Sequence, residues 1–384
     1  MRSLRRKENP LRAFAQVNDI WLILCCLAAS VYSVILVYSD AMTSGGSTRS
    51  SIVQAAASLV GLGVAFLMSR FEYDDLCRLW PVWFGGSALL VLLTFTPLGL
   101  NVAGTDDTAW LGIPPGVSDP WLTIQPSELL KVAYIITFAK HLTTVQDHLN
   151  RPTTLLLLAL HAGFCCGLIF LQGDDGTALV FVFITLAMLI VAGLSPWLML
   201  GGAGAVAVAV PIIWMNLPQD KLGRFLALIH VEEYLKTEGW QQAEGLAAMA
   251  GGGMGGVGYM NGNNAGLFAR NNDFVFTIAG EEFGFIGALI LLLLLAAILL
   301  LILRNALTAQ DELGRLLCVG VLAMLGFQTI INLGMVLRVL PVIGITLPFI
   351  SAGGSSAATV WLSIGLVLSV FRTGRLRKPE RLFD

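Results

Sequence analysis

The chain has 384 residues, of which 56% are hydrophobic and only 12% charged, with a formal net charge of −2 and a mean hydropathy of +0.78. Soluble globular domains are about one-quarter charged, so this composition excludes an ordinary soluble enzyme and indicates an integral membrane protein. No basic patch with interleaved aromatic residues is present, so nucleic-acid binding is not indicated.

Apolar runs long enough to cross a bilayer as helices, about 18–25 residues each, recur along the chain. We predict an all-α polytopic membrane protein with ten spans in one membrane domain, residues 1–384. The spans are placed at 20–38, 52–69, 79–98, 127–145, 153–171, 177–194, 196–214, 274–303, 316–337 and 347–371. The fourth differs from the others because Glu128, Lys131 and Lys140 lie inside or beside it.

The basic residues are unevenly distributed between the two sides of the membrane. With ten spans both termini share one side, which holds most of the 23 Lys and Arg residues, including a basic N-terminus (1–19) and a basic tail (372–384). The positive-inside rule therefore places both termini in the cytoplasm. The six cysteines lie in spans or on that side, so neither a disulfide framework nor metal-ligand spacing is predicted.

Two external loops, 99–126 and 215–273, are longer than a helix-to-helix connection needs. In the second, helical spacing of apolar residues predicts an amphipathic surface helix within Leu222–Ala250. The glycine run Gly251–Gly258 that follows fits either a flexible hinge or a close approach of backbone to a bulky ligand. It lacks the Lys-Ser/Thr of a phosphate-binding loop.

Asp273 lies at the outer end of the eighth span, and its residue type leaves two roles open. As a helix N-cap it would favour the positive end of the helix dipole. As a general base it would face a substrate in the outer leaflet. Capping makes a carboxylate a weaker base, whereas burial against Phe274 and Phe276 would raise its pKa.

Glu281 and Glu282 follow eight and nine residues later, about 12–13 Å deeper along a helix. That depth excludes a carboxylate pair with Asp273. Intramembrane charges also suit a functional role, but an ion pair inside the bundle is at least as well supported, with Lys131 as a candidate partner.

Two more external turns carry acids at the start of a span. Pro126 and Glu128 suit the first turn of the fourth span, and Asp174 and Asp175 suit a cap or first turn of the sixth. Together with Asp273, these acidic helix starts predict a polar cavity at the external face.

Several motifs resemble those of one known family. The segment Pro341–Ser356, PVIGITLPFISAGGSS, is similar to PxxGLTLPFISYGGSS, and Asp273-Phe-Val-Phe with Glu281-Glu282-Phe-Gly is similar to DFIF…EExG. Gln125-Pro-Ser-Glu…Lys131, Gln328…Asn332 and Trp240-Gln241 fit the same pattern. Over nearly its whole length the chain thus resembles the SEDS (shape, elongation, division and sporulation) family of RodA- and FtsW-type peptidoglycan glycosyltransferases.

The resemblance implies a ten-helix fold that polymerises lipid II at the outer face of the bacterial cytoplasmic membrane. By motif, Asp273 falls on the family's catalytic Asp, which implies an inverting reaction with Asp273 as general base. The resemblance also implies a single-span class B penicillin-binding protein as partner. The pyrophosphate leaving group needs cationic stabilisation, and a divalent cation could share that task. The candidate cations are Arg49, Lys131, Arg224 and Arg338.

Further residues of these motifs and external turns are expected at the site. Those expected to contact substrate are Trp110, Gln125, Ser127, Glu128, Asp174, Ser351 and Ser355. Those expected to support the site are Glu281, Glu282, Gln328 and Asn332.

The chain departs from the family pattern at four places around the expected site. The stretch Asp106-Asp-Thr-Ala replaces an Arg before Trp110, Asp175 replaces Leu, Trp240 replaces Tyr, and Ala352 replaces Tyr. Two alternatives to the polymerase stay open: a flippase or transporter of the lipid-linked precursor, and a non-catalytic scaffold for the transpeptidase. Asp273 separates them, because only the polymerase needs it as a base.

Overall fold

The computed structural model describes residues 18–377 except 46, 102–107, 118–119, 235–236, 264–266 and 268–269. The start of the basic N-terminus, the end of the basic tail, and Asp106, Asp107 and Asp119 lie outside the described residues. The predictions made for those positions stay predictions.

Helices dominate the described residues. They are α1 (Ile20–Thr43), α2 (Arg49–Met68), α3 (Tyr73–Arg78), α4 (Trp80–Thr94), α5 (Pro126–Thr144), α6 (Pro152–Leu171), α7 (Asp175–Val191), α8 (Pro196–Met215), α9 (Gln219–Ile229), α10 (Val231–Tyr234), α11 (Trp240–Gly252), α12 (Val275–Glu282), α13 (Gly284–Thr308), α14 (Glu312–Val336) and α15 (Gly354–Arg377). A 3₁₀ turn, Gln146–His148, lies between α5 and α6. The all-α polytopic membrane fold is confirmed.

Each predicted span coincides with one or more of these helices. Within the described residues, seven helices are long and apolar enough to cross a membrane: α1, α2, α6, α8, α13, α14 and α15. α4 and α7 are apolar but shorter. α5 is the polar span, and its Glu128 and Lys131 are buried against protein, so lipid does not meet their charges.

The first external loop contains a small sheet that the sequence pattern did not predict. Strands β1 (Gly99–Leu100), β2 (Trp110–Ile113) and β3 (Leu122–Ile124) pair antiparallel in the order β1-β2-β3. Strands of two to four residues are too short for an alternating pattern to be recognised. The sheet leads directly into α5.

The eighth predicted span is two helices, so the prediction of one continuous helix is wrong. α12 ends at Glu282, and α13 begins at Gly284, whose φ of +66° is a conformation that favours glycine. Breaking a helix at membrane depth leaves backbone groups that need partners. The amide of Phe285 finds one in the Gly253 carbonyl oxygen, at 2.8 Å.

The glycine run packs against this break. A Cβ at Gly252 would stand 2.2 Å from the Gly280 carbonyl oxygen, and one at Gly256 would stand 2.0 Å from that of Glu282. The Val257 amide donates to the Glu281 carbonyl oxygen at 3.0 Å. Of the two roles left open for the glycine run, the structure supports close backbone approach. The backbone that it approaches is that of α12 in the same chain.

Two other predicted boundaries are wrong. The tenth span was placed at 347–371, but α15 covers 354–377 and the preceding residues 341–353 form a non-helical loop. The surface helix predicted within Leu222–Ala250 is three helices, α9 to α11. α9 follows α8, in which no residue is buried.

Candidate active site

Asp273 lies in the turn that leads into α12, and its predicted role as helix N-cap is wrong. α12 begins at Val275, Phe274 takes the N-cap position, and no side chain caps the helix. The carboxylate is therefore not committed to the helix terminus. The side chain is only partly exposed.

The surroundings of Asp273 make it a stronger base than an ordinary aspartate. Burial, and then the negative charge of Asp174, raise the pKa of Asp273 to about 6. A carboxylate with this pKa is mostly ionised at neutral pH and accepts a proton more readily than an aspartate in water. These are the properties expected of a general base.

Asn332 on α14 joins the backbone at Asp273 to the loop 341–353. Its Nδ2 donates to the Asp273 carbonyl oxygen at 2.8 Å and to the Ile345 carbonyl oxygen at 2.7 Å. Gly344, with a φ of +73°, lies beside the carboxylate, and a Cβ there would stand 3.6 Å from Asp273 Oδ2. Asn332 thus has the supporting position predicted for it.

Ser351 forms a second connection between the loop and the turn. Its hydroxyl donates to the Asn272 carbonyl oxygen at 2.6 Å and accepts from the Leu347 amide at 2.7 Å. The Ala352 amide donates to the Asn271 carbonyl oxygen at 2.8 Å. Ser351 is buried, so it positions the Asp273 turn instead of facing a substrate.

Gln54 on α2 and Ser33 on α1 anchor the far side of the loop, and the sequence analysis missed both. Gln54 Nε2 donates to the Ser351 carbonyl oxygen at 3.2 Å, while its Oε1 accepts from the Gly353 amide at 3.0 Å. The Ser33 hydroxyl donates to the Ile350 carbonyl oxygen at 2.7 Å. Both side chains are fully buried. Their polar identity inside apolar spans was the available signal.

A second wall of the site joins α5, α7 and α15. Asp174 caps α7 by accepting from the Thr177 amide at 2.8 Å and also accepts from Gln125 Nε2 at 3.2 Å. The backbone amide of Gln125 donates to the Ser355 hydroxyl at 3.1 Å. The acidic helix starts predicted for α5 and α7 are confirmed, with Glu128 and Asp175 in their first turns.

Three of the four candidate cations lie at the end of the bundle that was predicted to be external, the end that holds Asp273. Arg49 is exposed at the start of α2 and donates to the Pro120 carbonyl oxygen at 2.7 Å. Arg224 on α9 is also exposed, and its NH1 is 3.5 Å from the Val342 carbonyl oxygen. Arg338 donates to the Ala227 carbonyl oxygen at 3.2 Å, and its Nε is buried without a hydrogen bond.

Lys131 lies inside the bundle, and its predicted pairing with Glu281 or Glu282 is wrong. Its Nζ is 2.8 Å from Glu128 Oε1 on the same helix, and the two side chains are 1% and 5% exposed. Ser127 is buried beside them with an unpaired hydroxyl. Direct access of a pyrophosphate to Lys131 would require this buried pair to open.

Glu281 takes its partners from the chain segment before α12, and Glu282 takes one from α1. Glu281 forms a buried ion pair with Arg270 and accepts from the Asn263 amide at 2.7 Å. Glu282 accepts from the Ser39 hydroxyl at 2.6 Å. An ion pair was expected at these positions, but its basic member comes from the external loop, which helical spacing within the spans could not indicate.

The remaining predicted residues lie around this frame. Gln328 is buried one turn below Asn332 on α14, and Trp110 is half-buried on β2. Among the described residues, no three His, Cys, Asp or Glu side chains converge to hold a metal ion.

Comparisons with known proteins match almost the whole chain. The family model described as "Cell cycle protein", FtsW/RodA/SpoVE, matches residues 19–376. The chain is 30% identical over 369 residues to stage V sporulation protein E of Bacillus subtilis, covering 93% of this chain and 98% of the relative. It is 29% identical over 364 residues to the peptidoglycan glycosyltransferase MrdB of Escherichia coli, covering 92% and 93%.

Solved structures agree with this match. One chain, from a structure described as "Structural coordination of polymerization and crosslinking by a peptidoglycan synthase complex", superposes with a TM-score of 0.78 and 31% identity, covering 93% of this chain and 98% of that one. The rod shape determining protein RodA of Thermus thermophilus superposes with a TM-score of 0.68 and 28% identity, covering 92% and 97%.

Proposed function

This chain belongs to the FtsW, RodA and SpoVE family, the SEDS family, and we propose that it polymerises lipid II into β-1,4-linked glycan at the outer face of the membrane. Membership makes it a multi-pass peptidoglycan glycosyltransferase of the bacterial cytoplasmic membrane. The proposal adds the substrate, the product and the roles of residues. The observation that carries it is Asp273, an externally placed carboxylate with a pKa of about 6 on a turn held by Asn332 and Ser351.

In the proposed reaction Asp273 acts as general base. The 4-hydroxyl oxygen of the acceptor sugar attacks C1 of the lipid-linked donor while Asp273 takes the hydroxyl proton. The bond between C1 and the pyrophosphate oxygen breaks, and undecaprenyl pyrophosphate leaves with the bonding electrons. Because attack and departure occur on opposite faces of C1, the anomeric configuration inverts and a β bond forms.

The leaving pyrophosphate would be met by cations of the external end. Arg224 and Arg338 border the loop whose Gly344 lies beside Asp273, and Arg49 lies at the start of α2. Guanidinium groups suit phosphate oxygens because they donate in a planar fork. The Lys131–Glu128 pair is assigned a supporting role inside the bundle.

A class B penicillin-binding protein is proposed as the partner. The structural relative from a peptidoglycan synthase complex supports this assignment, since that complex couples polymerization to crosslinking. The exposed apolar surfaces of the spans offer a single transmembrane helix places to pack.

A direct assay tests the proposed function. Purified full-length protein, with and without a class B partner, is incubated with lipid II, and the products are separated by gel electrophoresis. A ladder of glycan polymer is expected. Lipid II that stays unpolymerised in the presence of the partner would contradict the polymerase and leave the flippase and the scaffold as the surviving alternatives.

The pH dependence of kcat/KM provides a separate prediction. The base must be ionised, so activity is lost as pH falls through about 6, the pKa of Asp273. Asp174→Asn should shift this acidic limb to lower pH, because it removes the negative charge that helps raise the pKa. Asn still caps a helix and accepts a hydrogen bond, so α7 should keep its start. An unmoved limb in a folded, active variant would contradict the coupling between the two carboxylates.

A further inference from the structure

Lys221 is a cation of the external face that the proposed mechanism leaves unused. It lies in the first turn of α9, and its ammonium pairs with the carboxylate of Asp175 in the first turn of α7. The two side chains are 38% and 35% exposed, so the pair is open to solvent on one side. An ammonium has three donors, so one carboxylate leaves capacity for a further acceptor.

The pair lies at the border of the site. Gly176, next to Asp175, is so close to the loop 341–353 that a Cβ there would stand 2.9 Å from the Ile343 carbonyl oxygen. Arg224, one helical turn after Lys221, reaches the Val342 carbonyl oxygen in the same loop. Residues three apart share a helix face, so the ammonium and the guanidinium point to one side of α9.

The loop 341–353 lies between Arg224 and the carboxylate of Asp273, and Lys221 is near the loop through its pair with Asp175. From Val342, which Arg224 contacts, to Gly344, which borders Asp273, the backbone spans about 7 Å. A lipid-linked pyrophosphate whose sugar is at Asp273 extends away from C1 by two phosphate groups. Lys221 and Arg224 lie on a side of the site where those phosphates can reach them.

A purely structural role does not account well for the pair. Partly exposed ion pairs contribute little to stability, so the Lys221–Asp175 pair does little to hold α9 in place. A pyrophosphate carries more negative charge than one carboxylate and offers more acceptor oxygens. It would therefore compete effectively for the ammonium.

We propose that Lys221 is a further pyrophosphate-binding residue, which Asp175 holds at the border of the site until the lipid-linked donor displaces the carboxylate. The inference rests on the proposed function, because it takes the donor to be a polyprenyl pyrophosphate. The carboxylate is a placeholder: it keeps the long lysine side chain oriented in the empty site and is released to water when the donor binds.

Binding of farnesyl pyrophosphate to the full-length protein in lipid nanodiscs tests this, with farnesol as the probe that lacks phosphate. Lys221→Ala should raise the Kd for the pyrophosphate by about 10- to 100-fold, the loss expected for one charge-assisted hydrogen bond, and leave farnesol binding unchanged. Lys221→Arg should recover most of the affinity. Asp175→Asn should bind as tightly as the wild type or more tightly, because the competitor for the ammonium is gone.

The direction in which Asp175→Asn changes the Kd shows whether Lys221 binds the pyrophosphate or only holds α9 in place. If the pair only fastened α9, either variant would break it and both would weaken binding equally, which would overturn the proposal. An unchanged Kd in Lys221→Ala would overturn it too. Arg78→Ala, which removes an exposed pair with Asp75 far from the site, is the matched control. The probe carries no sugar, so binding is measured without turnover, and failure of the polymerase assay would not be confused with failure of this proposal.

Discussion

The Asp273→Asn variant is expected to lose glycan polymerisation from purified lipid II, by at least about 100-fold, while it folds and binds its partner normally. General-base catalysis contributes about 10²- to 10⁴-fold, and an amide of the same shape cannot take the proton. Stability should not fall. A folded-state pKa of about 6, above the ordinary value of 3.8, means that the protein loses stability as pH rises from 3.8 to about 6, and the full cost of the charged carboxylate is present at pH 7. The neutral amide removes that cost at pH 7.

The measurement pairs polymer length on a gel with the melting temperature of the same preparation. Asp75→Asn, which removes an exposed carboxylate paired with Arg78 outside the site, is the matched control and should keep full activity. Polymer of normal length from Asp273→Asn would exclude Asp273 as the base. A melting temperature well below that of the wild type would attribute any loss to folding instead of chemistry.

Hydrophobic run lengths predicted the spans well because lipid imposes a length and a composition on each helix. The run lengths predicted the wrong helix bounds where a non-helical stretch of backbone is enclosed by other parts of the protein. The break at Gly284 is satisfied by the glycine run some 30 residues earlier, and no local pattern announces a contact of that kind. Residues 347–353 of the loop 341–353 are apolar enough to be assigned to the tenth span, although the backbone of this loop bonds to Gln54 and Asn332.

The residues of the site were likewise predictable only in part. Motif resemblance identified Asp273, Asn332 and Ser351, which the structure brings together. Side chains whose role depends on a distant partner were not predictable. Lys131 was matched to the wrong carboxylate, although the spacing of Glu128, three residues earlier on the same helix, was itself a pairing signal. Gln54 bonds to a loop some 300 residues away, and the sequence offered its polar identity inside an apolar span but not that partner.

Glu281→Gln is expected to reduce stability by about 3–5 kcal/mol, the range for breaking a buried ion pair from one side. Arg270 is only 4% exposed, and its Nε and NH1 already lack hydrogen bonds. Removing the carboxylate charge therefore takes away the anion that the buried guanidinium contacts directly. The double variant Arg270→Met/Glu281→Gln should recover much of the loss, because it removes the unpaired charge too. Thermal unfolding in detergent measures both.

Comparison with an exposed pair shows what burial adds. Glu312→Gln breaks the pair with Arg315 at the start of α14, where the arginine is 44% exposed, and should cost no more than about 1 kcal/mol of stability.

The activity of Glu281→Gln shows whether Glu281 supports the fold or takes part in the reaction. Glu281 lies about two helical turns below Asp273, too deep to touch the same sugar, so folded Glu281→Gln protein should retain most of its kcat. Unchanged melting with lost activity would contradict the structural role of the Glu281–Arg270 pair.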